Sequence, residues 1–188
     1  ATVGYDVTSP TGYFRNLQAR LSWQGAKVRE TYVTRQSIPV GPPPPAPQTY
    51  VPRLRLRDSD FRNRGLSGSL QVESGVRLGD RAHRILWGID GSKTKQTRNE
   101  DFSQFDGTTG AFLNKIFVGE NFPLKRIPDG EVTRYAVFAQ DEVTLDAGQR
   151  YLASWGVRLD HYRLAVTDDA PYQNLAKGTA PVGFDQWA

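Results

Sequence analysis

Residues able to carry chemistry are few and far apart in this chain. Cysteine is absent and the histidines are two, His83 and His161, so neither a thiolate site nor a His-based metal centre of ordinary ligand count can form. Carboxylates are adjacent at Asp141–Glu142 and Asp168–Asp169. On a strand such neighbours point to opposite faces, and they cannot work as an acid–base pair without a loop bend. No G-x-S-x-G elbow, phosphate loop or Asp-rich calcium loop occurs. Residues suited to binding are commoner. Arg53, Arg55, Arg57, Arg62 and Arg64 crowd "PRLRLRDSDFRNR" (52–64). No helix-turn-helix, zinc knuckle or RNA-recognition signature accompanies them, so nucleic acid is not the expected partner. Phe102, Phe105, Phe112, Phe117 and Phe122 punctuate the stretch 93–130, which either packs on itself or meets a ligand. The chemistry on offer is binding, not catalysis.

Strands must position these groups. In "QRYLASWGVRLDHYRL" (149–164), Tyr151, Ala153, Trp155, Val157 and Leu159 fall on one face of an extended chain, with Leu152, Ser154, Gly156, Arg158 and Asp160 on the other. The same period of two recurs. Leu17, Ala19, Leu21 and Trp23 oppose Asn16, Gln18, Arg20 and Ser22; Leu66, Leu70, Val72 and Val76 oppose Ser67, Ser69, Gln71 and Glu73. Ile85, Trp87 and Ile89 oppose Leu86, Gly88 and Asp90; Tyr135, Val137, Ala139 and Val143 oppose Phe138, Gln140 and Glu142. Asp141 breaks this last pattern by landing on the apolar face, which a bulge or a position near a rim would relieve. Helical periodicity never persists past two turns. A hydrophobic fraction of 38% with 11% aromatics, eighteen Gly and twelve Pro suits exposed alternating strands better than a helical core.

The connections alternate in length. "RLGDRA" (77–82) and "DAGQ" (146–149) read as tight turns, whereas 37–49, 95–131 and 166–188 read as long loops. "PVGPPPPAPQ" (39–48) reads as a stiff polyproline segment, with a Pro-rich ligand as its sharper alternative. Short turns at one end and long loops at the other are the habit of outer-membrane barrels. Six strands are expected, over 1–8, 15–36, 50–75, 82–94, 132–145 and 150–165, with 15–36 either one strand or a hairpin turning at "QGAK" (24–27); one strand preserves the alternation. No apolar run approaches a transmembrane helix, and no signal peptide or methionine is present. About eight strands are needed to close a barrel, so the expectation is an all-β, antiparallel, up-and-down transmembrane segment of a larger barrel, cut from a longer chain. A soluble β-sandwich binding module is the alternative from another class.

Four segments in order, the strand ending "WGIDGSKTK" (87–95), the "FP…IPD" lead-in (122–129), "FAQDE" (138–142) and "GVRLDHY" (156–162), resemble the middle of a TonB-dependent outer-membrane receptor barrel. The likeness is to the branch taking haem, haemoglobin, transferrin or lactoferrin iron, and it covers 65–164. It implies a barrel of about 22 strands plugged by an N-terminal domain, located in the bacterial outer membrane and partnered by lipid, by the TonB complex through the plug, and by an iron- or haem-carrying protein. Residues 1–188 would be a partial barrel, binding no cofactor itself, with haem or another ferric complex as cargo. A siderophore or other nutrient is the alternative cargo.

On that likeness, Gln71, Glu73, Asp90, Gln140, Glu142, Arg158 and Asp160 line the lumen, where Arg158 and Asp160 could meet the plug. Leu70, Val72, Ile85, Trp87, Ile89, Val137, Trp155, Val157 and Leu159 face lipid. Tyr50, Phe102, Phe105, Phe112 and Phe117 are the candidate ligand contacts in extracellular loops. His83, just after a tight turn, and His161, on the lipid-facing parity, read as structural and not as haem ligands. Tyrosine can ligate haem iron, and Tyr50 and Tyr172 are loop-placed, but nothing selects either.

Overall fold

A computed structural model describes residues 1–9, 14–42, 47–146 and 150–188. Eleven elements follow in order: β1 (Thr2–Thr8), β2 (Asn16–Val40), β3 (Thr49–Leu78), β4 (Arg81–Asp106), β5 (Phe112–Asn114), β6 (Ile116–Phe117), β7 (Glu120–Asn121), β8 (Asp129–Thr144), β9 (Leu152–Thr167), α1 (Ala170–Ala176) and β10 (Phe184–Trp187). One antiparallel sheet runs β1-β2-β3-β4-β8-β9-β10, with β5 also pairing β4, and β6 and β7 form a separate two-stranded ribbon. The six expected strands are present. Residues 15–36 resolve as part of the single strand β2, without a hairpin at 24–27, because every residue from Asn16 to Val40 pairs in unbroken register with β3.

Two expectations need correction. The strand expected to end at 94 continues to Asp106. Residues 97–106 are charged and look like loop, but β3 offers them an unpaired edge, and Arg53↔Asp106 through Asn63↔Gln96 fill it. An exposed row of backbone donors and acceptors is costly to leave unpaired. The stretch 166–188, expected to be loop, contains α1 and the further strand β10, which pairs Phe184–Trp187 with Leu164–His161. α1 is started by Asp169, whose carboxylate accepts from the Tyr172 N–H at 3.1 Å. The turn between β3 and β4 is the pair Gly79–Asp80, with Gly79 at φ +61°. The "DAGQ" turn and the polyproline segment fall largely outside the described residues, at 147–149 and 43–46.

No second sheet of comparable size packs on this one among the described residues, whereas a sandwich has two packed layers. Among the described residues six apolar side chains are buried, and three of them, Phe102, Phe122 and Leu124, form one cluster. Meanwhile Trp155 and Val157 stand 66% and 65% exposed. Apolar surface left open in water costs about 25 cal/mol per Å², so this face is suited to an apolar surrounding.

Candidate functional site

The unbroken registers decide which residues share a face. Leu17, Val72, Trp87, Ala139 and Val157 lie in one cross-strand row, and Ala19, Leu70, Ile89, Val137 and Leu159 in the next. Ile85 and Trp155 flank Asp141 in the row beside them. All nine residues assigned to the apolar face therefore stand on one side; Val72 alone of them is buried, at 2% exposure. Asp141 stays on the apolar face without a bulge, with its Oδ2 partnered and its buried Oδ1 without a partner among the described residues. His83 Nδ1 lies 2.8 Å from its Oδ2, near the short-turn end of the sheet. His161, on the same face near the opposite end, stacks against Tyr135, meets the tilted Trp187 ring and reaches Asp185 at 2.6 Å.

Gln71, Glu73, Asp90, Gln140, Glu142, Arg158 and Asp160 share the other face. Here Arg158 donates to Asp90 at 2.9 Å and to Asp160 at 2.8 Å, and Arg134 donates to Asp160 at 3.0 Å. Two guanidinium groups and two carboxylates thus close a neutral network. Arg84 makes a two-pronged pair with Glu73 at 2.8 and 3.1 Å, and Gln140 donates to Ser154 at 3.0 Å. Gly88 lies in this wall because the Phe138 ring and the Leu70 carbonyl occupy the space of a Cβ.

Above the network, toward the long connections, the same face opens into a cleft of about 530 Å³. Even-numbered residues of β2 (Glu30, Tyr32), odd-numbered residues of β3 (Arg55, Arg57) and even-numbered residues of β4 (Arg98, Glu100, Phe102) line it, with Phe117 of β6. Glu100, 1% exposed, is held by Arg57 at 2.8 Å, Arg98 at 3.0 Å and Arg126 at 3.7 Å. A buried carboxylate needs such partners to offset its lost hydration. Arg55 spreads over the Phe117 ring at 5.1 Å and donates to Gln36 at 2.5 Å, while its buried Nε–H has no protein acceptor. Cations outnumber anions here, beside three aromatic rings. That combination suits an anionic ligand with an aromatic or planar body.

The segment between β4 and β8 folds down beside this cleft. Glu100 and Leu124 exchange backbone hydrogen bonds at 3.0 and 2.9 Å, and Phe102 packs on Phe117 and Phe122 with centroids 4.9 and 5.5 Å apart. Lys125, buried, donates to Asp129 at 2.7 Å and to Asp169, and its N–H bonds the Pro171 carbonyl, tying the segment to α1. Burial works against the Lys125 ammonium, but the two carboxylates outweigh it and hold its pKa above the usual lysine value. At the tip, the Thr109 and Thr108 N–H groups donate to Asp106 at 2.9 Å each and hold its carboxyl below the usual range.

Of the five aromatic ligand candidates, the structure brings Phe102 and Phe117 together at the cleft. Phe105 and Phe112 pack edge-on at 5.8 Å; Phe105, with Leu54, belongs to the opposite face, as does Tyr50, 65% exposed and paired with Pro39. Tyr172 lies in α1 and not in a loop. Sequence reasoning missed Tyr32, Arg98 and Glu100, and noted Arg55 and Arg57 only as part of an arginine-rich run without assigning them to a ligand site. The signal was the period of two in Arg53, Arg55 and Arg57, which sends all three to one face.

A family model described as TonB dependent receptor-like, beta-barrel matches residues 1–187. A search of curated proteins finds no match. Proteins of that family are nutrient importers of the bacterial outer membrane and not enzymes. An antiparallel sheet with one apolar and one polar face, short turns at one end and long connections at the other is the wall such a protein needs, and the chain belongs to the TonB-dependent receptor-like β-barrel family.

Proposed function

We propose that this chain forms a sector of a receptor wall that imports haem, or iron drawn from a haem- or iron-carrying protein, with the apolar face against lipid and the polar face toward the lumen. The apolar rows on β3 run from Val76 to Leu66. Ten residue-to-residue steps of about 3.3 Å, tilted about 40°, span roughly 25 Å, the height of a barrel's lipid-facing band. β1 and β10 stand at the edges of the described sheet. Unpaired edges are costly in lipid, so further strands would close the barrel, and the Arg158–Asp160–Arg134–Asp90 network would face a plug that the TonB complex acts upon.

The cleft carries the ligand assignment. Haem presents two propionates and a planar apolar ring; Arg55 and Arg57 suit the first, Phe102, Phe117 and Tyr32 the second. A ferric catecholate siderophore, also anionic and aromatic, is the second reading that the same groups favour.

The test is haem titration of the full-length receptor in micelles, followed by absorbance. Arg55→Ala/Arg57→Ala should weaken binding at least tenfold, since each charge-assisted hydrogen bond contributes about 1.5–3 kcal/mol, and haem dimethyl ester should bind as weakly to the unmodified receptor. Binding of a ferric tris-catecholate but not of haem would move the assignment to siderophore. Full haem affinity in the double variant would remove the cleft from ligand binding.

A further inference from the structure

Immediately beyond the apolar band, on the face assigned above to lipid, the registers stack cations. Leu66 pairs with Lys93, and two residues farther along Arg64 pairs directly with Lys95. Lys93 has taken Glu131 at 2.7 Å, although Glu131 stands opposite Lys95 in the register. Arg62 and Lys27, one row on, share Asp60 at 2.8 and 4.0 Å. Arg64 and Lys95 have no carboxylate within 4 Å among the described residues, and both are exposed. Like charges directly opposite on a sheet destabilise it, so this pair is better suited to a bound anion than to water alone.

Below the pair lies a second feature on the same strands. Gly68 and Gly91 face each other across β3 and β4. With Leu70, Ile89, Tyr135 and Val137 they border an apolar notch of about 500 Å³. Two missing side chains in one row make the notch, four residues, or about 13 Å, from the Arg64–Lys95 row.

We infer that β3, β4 and β8 bind one phosphorylated lipid of the outer leaflet on the outside of the barrel, its phosphate bridging Arg64 and Lys95 and an acyl chain lying in the Gly68–Gly91 notch. Charge complementarity fixes the headgroup, and continuity of the notch with the apolar band fixes the tail. Cross-strand side chains start about 5 Å apart, close enough for one phosphate to contact both. The site rests on the assignment of this face to lipid.

Native mass spectrometry of the full-length receptor in dodecyl maltoside micelles provides the test. The probes are a bisphosphorylated hexa-acyl disaccharide lipid, its dephosphorylated form and inorganic phosphate. Arg64→Ser/Lys95→Ser should lower affinity for the phosphorylated lipid roughly thirtyfold, at about fivefold per cation, and leave the dephosphorylated lipid unaffected. Gly68→Val should weaken both lipids; a Cβ there meets only ordinary contacts, at 3.7 Å from the Arg20 carbonyl and Leu21. Wild-type retention of the phosphorylated lipid by the double serine variant would overturn the site. Displacement of the lipid by millimolar phosphate alone would overturn its two-part character. If the face does not meet lipid at all, Val157→Arg will assemble normally, a result separate from either.

Discussion

Replacing Phe102 by alanine probes the architecture of the cleft most directly. Its ring is 3% exposed and touches Phe117 and Phe122, and with Leu124 these rings hold the segment between β4 and β8 against the sheet. Phe→Ala in a packed core costs about 3–5 kcal/mol. The long ladders of β2, β3 and β4 do not depend on this ring, so the loss should fall on local opening of the segment and not on global unfolding. At the low end, roughly 3 kcal/mol makes the open form about a hundredfold more populated. Trypsin reports that population. Lys125 is buried and bonded through both its side chain and its N–H, so cleavage there requires opening. In the receptor held in micelles, cutting at Lys125 and Arg126 should accelerate about a hundredfold in the variant, provided reclosing outruns cleavage. Phe105→Ala, on the opposite face, should change it little. Rates within threefold of wild type for Phe102→Ala would refute the idea that this cluster fastens the segment.

Val157→Arg, near the middle of the apolar band, should destabilise the assembled barrel by about 2–4 kcal/mol, read as a lowered urea midpoint in lipid micelles; Gln140→Arg on the polar face should be tolerated, and equal midpoints would reverse the two faces. The turn at Asp106 should keep its order well into acid. Because its folded pKa lies below the ordinary carboxylate value, its contribution is complete above about pH 4 and is lost as pH falls through the folded value. A spin label at Thr108→Cys should therefore remain immobile from pH 7 to about pH 4 and loosen only below; loosening between pH 6 and 5 would contradict that assignment.

The alternation of Trp155, Val157 and Leu159 against Arg158 and Asp160 sufficed to define a two-faced strand, and four similar runs with alternating connection lengths favoured a membrane wall over a soluble sandwich. Such patterns are legible because side-chain direction along a strand follows residue number alone. The resemblance of residues 65–164 to receptor barrels then agreed with a family match over residues 1–187. What tertiary pairing alone decided was where each strand stops and which distant residues meet. Residues 97–106 are mostly polar and charged, and their two phenylalanines, Phe102 and Phe105, do not alternate at a period of two; they are strand because β3 presents an unpaired edge across from them. That extension carries Arg98, Glu100 and Phe102 up beside Arg55 and Arg57, and it leaves Phe105 on the other side. The same register sets Arg64 against Lys95 and Gly68 against Gly91. No spacing within a single strand reveals such neighbours, because they are fixed by the hydrogen-bonded offset between two strands, which a one-residue slip would change entirely.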